Sequence, residues 1–244
     1  AVTTGGNNVA IGSSAGLDLT SGGENVFVGK FAGSNITTTG DNVAIGYQAL
    51  STPTTAGSNT AIGVSAMQSI QAGQAVSSCV AIGRLALTGS GSTDTGINGT
   101  VAVGFQALTA LTTGIGNVAV GYQTLFTEAD GDYNTAIGYK ALMNQSRAST
   151  VGNTAIGYQA GYNVTDGWSN TYIGYNAAVA ATTGYEQTII GANAGASLTT
   201  GDYNTAVGAN ALQNEDIGRG ATAIGYNALR AQDSNSGDED SGNT

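Results

Sequence analysis

Asn134-Thr135-Ala136-Ile137-Gly138-Tyr139-Lys140-Ala141-Leu142 is the stretch on which the fold turns, because Asn42-Val43-Ala44-Ile45-Gly46-Tyr47-Gln48-Ala49-Leu50 repeats its pattern and close variants recur along the chain. Ile or Val followed by Gly is found thirteen times at regular intervals, with Gly at 12, 29, 46, 63, 83, 104, 121, 138, 157, 174, 191, 208 and 225. Nine of the twelve spacings are 17 residues, and the other three are 20, 21 and 19. A fixed period of this length marks a repeat architecture, in which each unit is one small structural element stacked on the next.

The residue before each Gly is Ile or Val, and the residue three before it is Val or Thr. Residues two apart on a strand share a face, where branched side chains pack well. Between them stand Ala10, Phe27, Ala44, Ala61, Ala81, Ala102, Ala119, Ala136, Ala155, Tyr172, Ile189, Ala206 and Ala223. Ala and large apolar residues do not suit a solvent face, so this column predicts a second buried face. A thin solenoid has one inside, and the column is therefore read as an inter-chain face. Ala also recurs three residues after the Gly, except at Thr124, which predicts a second short strand packed closely over the first. Polar stretches such as Ser51 to Ser58 supply the loops.

One unit is then strand, Gly turn, short strand and polar loop, which makes one coil. The expectation is an all-β parallel β-solenoid, a two-sheet β-roll of 13 coils with a 17-residue basic repeat, forming a single array over residues 1–244. At ~4.8 Å per stacked strand such a column is roughly 60 Å long.

Composition agrees with a long thin core. Gly supplies 39 residues and charged residues only 9%, yet 41% of the chain is hydrophobic, too much for a disordered segment. A net charge of −10 would repel a phosphate backbone, which argues against nucleic acid as a partner. No run is long and apolar enough to span a membrane. The single Cys79 leaves the redox compartment open.

Two columns of side chains stand out. Asn lies four before the Gly at Asn8, Asn25, Asn42, Asn59, Asn117, Asn134, Asn153, Asn170 and Asn204, with Cys79, Thr100, Gln187 and Ala221 interrupting. Stacked coils would set these amides one above another as a structural ladder satisfying turn backbone, the alternative being a polar recognition stripe. The position after the Gly is aromatic at Tyr47, Phe105, Tyr122, Tyr139, Tyr158, Tyr175 and Tyr226, which could be a stack covering the roll or a platform for sugars.

Departures from the period are the places to look for function, because insertions in repeat proteins go to loops. They lie within Ser65 to Val80, Leu85 to Val101 and Lys140 to Thr154. Residues 231–244 form an acidic loop opening a further repeat, in which Asp233, Asn235, Asp238 and Asp240 place oxygen ligands like half of a calcium loop. No Glu stands where a complete EF-hand loop needs one, and a solvated acidic loop explains the residues as well. Ser241-Gly242-Asn243-Thr244 reads as the start of a fourteenth unit and Gly5-Gly6-Asn7-Asn8 as mid-array, so the chain is expected to come from a longer array.

Catalytic chemistry is not expected. There is no His for acid-base work or metal ligation. Glu215-Asp216 and Asp130-Gly131-Asp132 are the best carboxylate pairs for glycoside hydrolysis, and both read as solvated loop charge.

The Asn-Val-Ala-Ile-Gly and Asn-Thr-Ala-Ile-Gly-Tyr-Gln-Ala cores, from Asn8 to Leu229, resemble the YadA-like head repeats of trimeric autotransporter adhesins and the Asn-Thr-Ala-Ile-Gly-Tyr-Gln-Ala-Leu arrays of bacteriophage tail fibres. The resemblance implies a left-handed roll, a side-by-side homotrimer with the Ala column near its axis, and an extracellular fibre attaching to a host or surface receptor, glycan or protein. A self-assembling end-to-end filament is the alternative, and a polysaccharide-degrading fibre ranks behind both. Ice binding by a flat Thr array is disfavoured here because the Thr alternates with Val at a position read as facing the core.

Overall fold

The computed structural model describes residues 4–52, 57–70, 76–89, 96–147 and 152–231. The chain is an all-β parallel β-solenoid with no helix among those residues. It divides into two compact units, Ala1–Val120 and Gly121–Thr244. In the first unit the strands are β1 (Val9–Ile11), β2 (Val26–Val28), β3 (Val43–Ile45), β4 (Thr60–Ile62), β5 (Val80–Ile82), β6 (Val101–Val103) and β7 (Val118–Val120). In the second they are β8 (Thr135–Ile137), β9 (Thr154–Ile156), β10 (Thr171–Ile173), β11 (Thr188–Ile190), β12 (Thr205–Val207) and β13 (Thr222–Ile224).

Within each unit, strands pair in parallel with their chain neighbours, and equivalent residues face each other. Val9 pairs with Val26 and Ala10 with Phe27 in the first unit, and Thr171 pairs with Thr188 in the second. The 20- and 21-residue spacings do not shift the register, since Thr60 still meets Val80 and Val80 meets Val101. Lengthening the connection between strands costs little, so the register can be kept.

Each strand is three residues long because the Gly ends it. Gly46 has φ +134°, a conformation that L side chains rarely adopt, and a Cβ there would lie 2.5 Å from the carbonyl oxygen of Gly63 in the next coil. Both the backbone hand and the closeness of the next coil demand glycine at this place.

The structure corrects two expectations. The first is the second short strand. After the Gly the chain runs through turns, with Gln48 at φ +56° and Leu50 at φ +48°. Alternation between right- and left-handed backbone cannot extend into a strand. The turns still bond from coil to coil: the Gln48 N–H donates to the Lys30 oxygen at 3.0 Å and the Leu50 N–H to the Ala66 oxygen at 2.9 Å. The second wall is thus a ladder of turns rather than a sheet.

The second correction concerns which face is inside. Ala44, Ala61, Ala81, Ala102 and Ala119 in the first unit, and Ala136, Ala155 and Ala206 in the second, are wholly buried in their own chain, as are Phe27, Tyr172 and Ile189. Ala223 is buried too, and Ala10 in the first coil is exposed. The branched residues beside them point outward, Ile45 being 37% and Ile137 38% exposed. The Ala column is therefore the interior of each coil and no inter-chain face. The reason is volume. The interior is filled from the turn wall by the residue four past the Gly, such as Leu50, Met67, Leu87 and Leu108, and Leu125, Leu142 and Leu212, all buried. Each such side chain contributes roughly 1.5–3 kcal/mol, and it leaves the strand room for little more than a methyl group.

Where the strand residue is large, the turn residue is Gly. A Cβ on Gly16 or Gly33 would fall 2.9 or 2.5 Å from the Phe27 ring, and one on Gly161 would fall 2.8 Å from Tyr172. Gly195 bears the same relation to Ile189, at 3.2 Å. A large residue on the strand wall is thus met by Gly on the turn wall of its own or the preceding coil.

Candidate functional site

The Asn column forms a buried ladder. In the first unit the Asn25 N–H donates to Asn8 Oδ1 at 2.9 Å, the Asn42 N–H to Asn25 Oδ1 at 3.1 Å and the Asn59 N–H to Asn42 Oδ1 at 3.1 Å. In the second unit Asn153 donates to Asn134 Oδ1, Asn170 to Asn153 Oδ1 and Ala221 to Asn204 Oδ1, at 3.0, 2.9 and 2.9 Å. The amide nitrogens turn the other way and donate to loop carbonyls, Asn59 to Val76, Asn170 to Gly184 and Asn204 to Gly218. Each side chain thus joins the start of the next strand to a loop carbonyl. Asn25, Asn42, Asn59, Asn117, Asn134, Asn153 and Asn204 have no exposed surface and Asn170 almost none, so these positions offer no recognition stripe.

Two interruptions are chemically matched. Cys79 keeps the donor, its Sγ lying 3.0 Å from the Ile97 oxygen, and burial pushes its thiol pKa up. Gln187 is longer than Asn, and its Oε1 accepts the buried Tyr172 hydroxyl at 3.0 Å. Tyr172 and Gln187 replace Ala and Asn together.

The aromatic column divides. Tyr122, Tyr139, Tyr158 and Tyr175 stack in succession with centroids 5.2, 5.2 and 5.1 Å apart and ring planes within 9°, 6° and 11°. Tyr47 meets Phe31 edge-on at 6.4 Å, Phe105 lies under Arg84, and Tyr226 is 76% exposed. Rings stacked along the column cover one another's faces, so Tyr139 and Tyr158 present edges and hydroxyls rather than the open faces that a sugar platform requires.

A second aromatic cluster breaks the repeat. Trp168 and Tyr185 stack at 4.8 Å, and Tyr203 meets Tyr185 edge-on at 5.1 Å. Arg147 lies over Trp168 and Arg219 over Tyr203, paired with Asp166 at 3.2 Å and Asp202 at 2.8 Å respectively. The cluster's charges are already matched by its own members.

The carboxylates with the most unusual setting are Glu128, which sequence reading passed over, and Glu215, which it took for solvated loop charge. Glu128, Gln145 and Glu215 are fully buried seven residues past their Gly, where other coils place Leu19, Ile36, Leu111 or Leu198. Glu128 Oε1 accepts the N–H groups of Asp130 and Gly131 at 3.1 and 2.8 Å, and Glu215 Oε1 accepts those of Ile217 and Gly218 at 3.3 and 2.7 Å. They tie the loop from inside. Glu215 is therefore no solvated charge, a correction that follows from its role as a turn acceptor. Glu128 Oε2 is buried without a hydrogen-bond partner, and burial pushes the Glu128 pKa up. The signal was available as a polar residue at an otherwise apolar position.

Among the described residues no cluster of His, Cys, Asp and Glu could hold a metal, and no helix is long and apolar enough to cross a membrane. Asp233, Asn235, Asp238 and Asp240 lie outside the described residues, as do 71–75, 90–95 and 148–151 within the three longer loops. What remains exposed and regular is the outer face of the strands. Its inner column is Val in six of the seven first-unit strands and Thr in all six of the second. Ile or Val stands two residues further on in every strand.

Compared with known protein families, with curated proteins and with solved structures, the chain has no match.

Proposed function

We propose that the chain is a structural and adhesive segment of an extracellular fibre, a bacteriophage tail fibre or a bacterial surface adhesin, that holds receptor-binding parts away from their base. The observation that carries this reading is the stack of near-equivalent coils with its outward apolar face. A column of three-residue strands, each bonded to the next and closed by Gly, is suited to spanning distance rather than to enclosing a substrate. Three chains of a left-handed roll would pack side by side through the outward Val and Ile of the first unit, not through Ala. Val43, Val80 and Val101 with Ile45, Ile82 and Val103 offer an uncharged surface in which Thr60, between Val43 and Val80, brings the one hydroxyl of β3 to β6 to desolvate.

Mass measurement in solution tests the assembly. A discrete trimer that Val43→Lys and Val101→Lys convert to monomer supports the proposal. Open-ended polymers overturn it in favour of the end-to-end filament. Retained attachment to host cells or glycans after loss of the whole chain from its fibre would overturn the adhesive part, and release of reducing sugar from host polysaccharide would replace it with the enzyme.

A further inference from the structure

We propose that the outer strand face of the second unit binds ice, through water ordered on a lattice of Thr hydroxyls and branched methyl groups. Thr135, Thr154, Thr171, Thr188, Thr205 and Thr222 occupy equivalent places on β8 to β13 and pair in unbroken register. They face outward, opposite to the expectation that Thr here turns to the core. All six are half-buried, and none of their hydroxyls takes a hydrogen-bond partner from the described residues.

The hydroxyls are not there for the fold. Val occupies the same place in β1, β2, β3, β5, β6 and β7, where it supports the same three-residue strand and the same parallel pairing. Thr and Val have nearly the same shape, so what distinguishes the second unit is the added hydroxyl, repeated six times. Neither outward column contains a charged residue.

Geometry selects the partner. Stacked strands repeat at ~4.8 Å and residues two apart on a strand lie roughly 6.6 Å apart, so hydroxyl and methyl groups form a two-dimensional grid. Neighbouring strands in ordinary sheets are rotated by about 20–25°. The Tyr rings that follow the Gly in four successive coils turn by only 9°, 6° and 11°, as coils stacked with little rotation would place them. A single sugar or peptide is recognised by different groups converging on it, whereas this face offers the same two groups again and again. Its partner must be periodic with a similar spacing and uncharged. The lattice of ice meets both conditions, and the branched methyls hold neighbouring water in cages that the hydroxyls anchor.

The test uses the full chain. Thermal hysteresis, the shaping of single ice crystals and partition into a growing ice front are measured for the natural sequence and three double variants. Thr171→Val with Thr188→Val removes hydroxyls and keeps a shape the first unit already tolerates. Thr171→Lys with Thr188→Lys breaks the grid, and Asp18→Lys with Thr38→Lys puts the same charges on exposed residues of the first unit outside both outward columns. Faceted crystals and hysteresis are expected for the natural chain and the first-unit variant, a marked loss for the Val pair and abolition for the Lys pair. Exclusion of the natural chain from ice overturns the proposal. Equal activity in the Val pair, with a circular dichroism spectrum unchanged, also overturns it, as does binding to crystalline cellulose or chitin without any effect on ice.

Discussion

Replacing Asn42 by Ala removes one rung of the amide ladder and should destabilise the first unit by about 2–6 kcal/mol. Asn42 Nδ2 donates to Asn25 Oδ1 at 3.1 Å and to the Gly40 oxygen at 3.0 Å, and its Oδ1 accepts the Asn59 N–H and the Asn59 amide at 3.1 and 3.3 Å. Three of the four partners keep another bond. Asn25 Oδ1 keeps the Asn42 N–H, the Gly40 oxygen keeps the Ser58 N–H, and Asn59 Nδ2 keeps the Val76 oxygen. The Asn59 N–H is left alone in a residue with no exposed surface, at a cost of about 1–3 kcal/mol, and the three contacts whose partners keep another bond add about 0.3–1 kcal/mol each. Coils in a repeat array need not unfold together, so the assay is native-state hydrogen exchange read at the Asn59 and Asn42 amides, supported by urea unfolding. The Asn59 amide should lose protection far more than amides at β1. A loss of under about 1 kcal/mol at Asn59 would refute the view that the ladder is a structural bond rather than a by-product of stacking.

Gly46→Ala should be more damaging than Gly225→Ala. Both glycines have positive φ, costing roughly 1–3 kcal/mol for Ala, but only at Gly46 would the Cβ also strike a carbonyl, while at Gly225 no described atom lies within 4 Å. Phe27→Ala should cost about 3–5 kcal/mol through the cavity it leaves, and adding Gly33→Leu should restore part of it, since Leu50 holds the equivalent place at φ +48° and Gly33 at φ +57°. Glu128 makes stability depend on pH. Its folded pKa is raised by burial, so the folded state favours the proton: the contribution is fully present below the unfolded carboxylate value and is lost as pH rises through the folded one. Glu128→Gln, the residue that Gln145 places one coil on, should therefore raise the melting temperature at neutral pH and flatten its fall above pH ~4.3, measured by thermal scans across pH.

The coil, its Gly corner and its Asn rung were legible because they repeat, and repetition survives any local ambiguity. The inside and outside were not. A period of two says which residues share a face, and Val43 with Ile45 looks more like core than Ala44 does. What decides is the volume arriving from the other wall, visible in the pairing of Phe27 with Gly16 and Gly33 and of Tyr172 with Gly161, which compares positions six residues or more apart. The turn wall was hidden for another reason. Left-handed backbone at Gln48 and Leu50 is unfavourable for those residues taken alone, and it is held by bonds to the coils on either side. Glu128 and Glu215 escaped because a carboxylate in a polar stretch reads as solvated, whereas here the loop folds its own N–H groups over it.

Near-identical coils pose a counting problem while the chain assembles. Val43-Ala44-Ile45 could lie against Val80-Ala81-Ile82 almost as well as against its true neighbour Thr60-Ala61-Ile62, and an array skipped by one whole coil would keep nearly all its bonds. The mismatched layers remove that freedom. β2 one step out of place would lose the Gly16 recess that admits the Phe27 ring, and β10 against the wrong neighbour would set the Tyr172 hydroxyl against an amide too short to reach it. Phe27 in the first unit and Tyr172 with Gln187 in the second thus serve as notches on a key, letting a chain built from one repeated word be threaded in a single way.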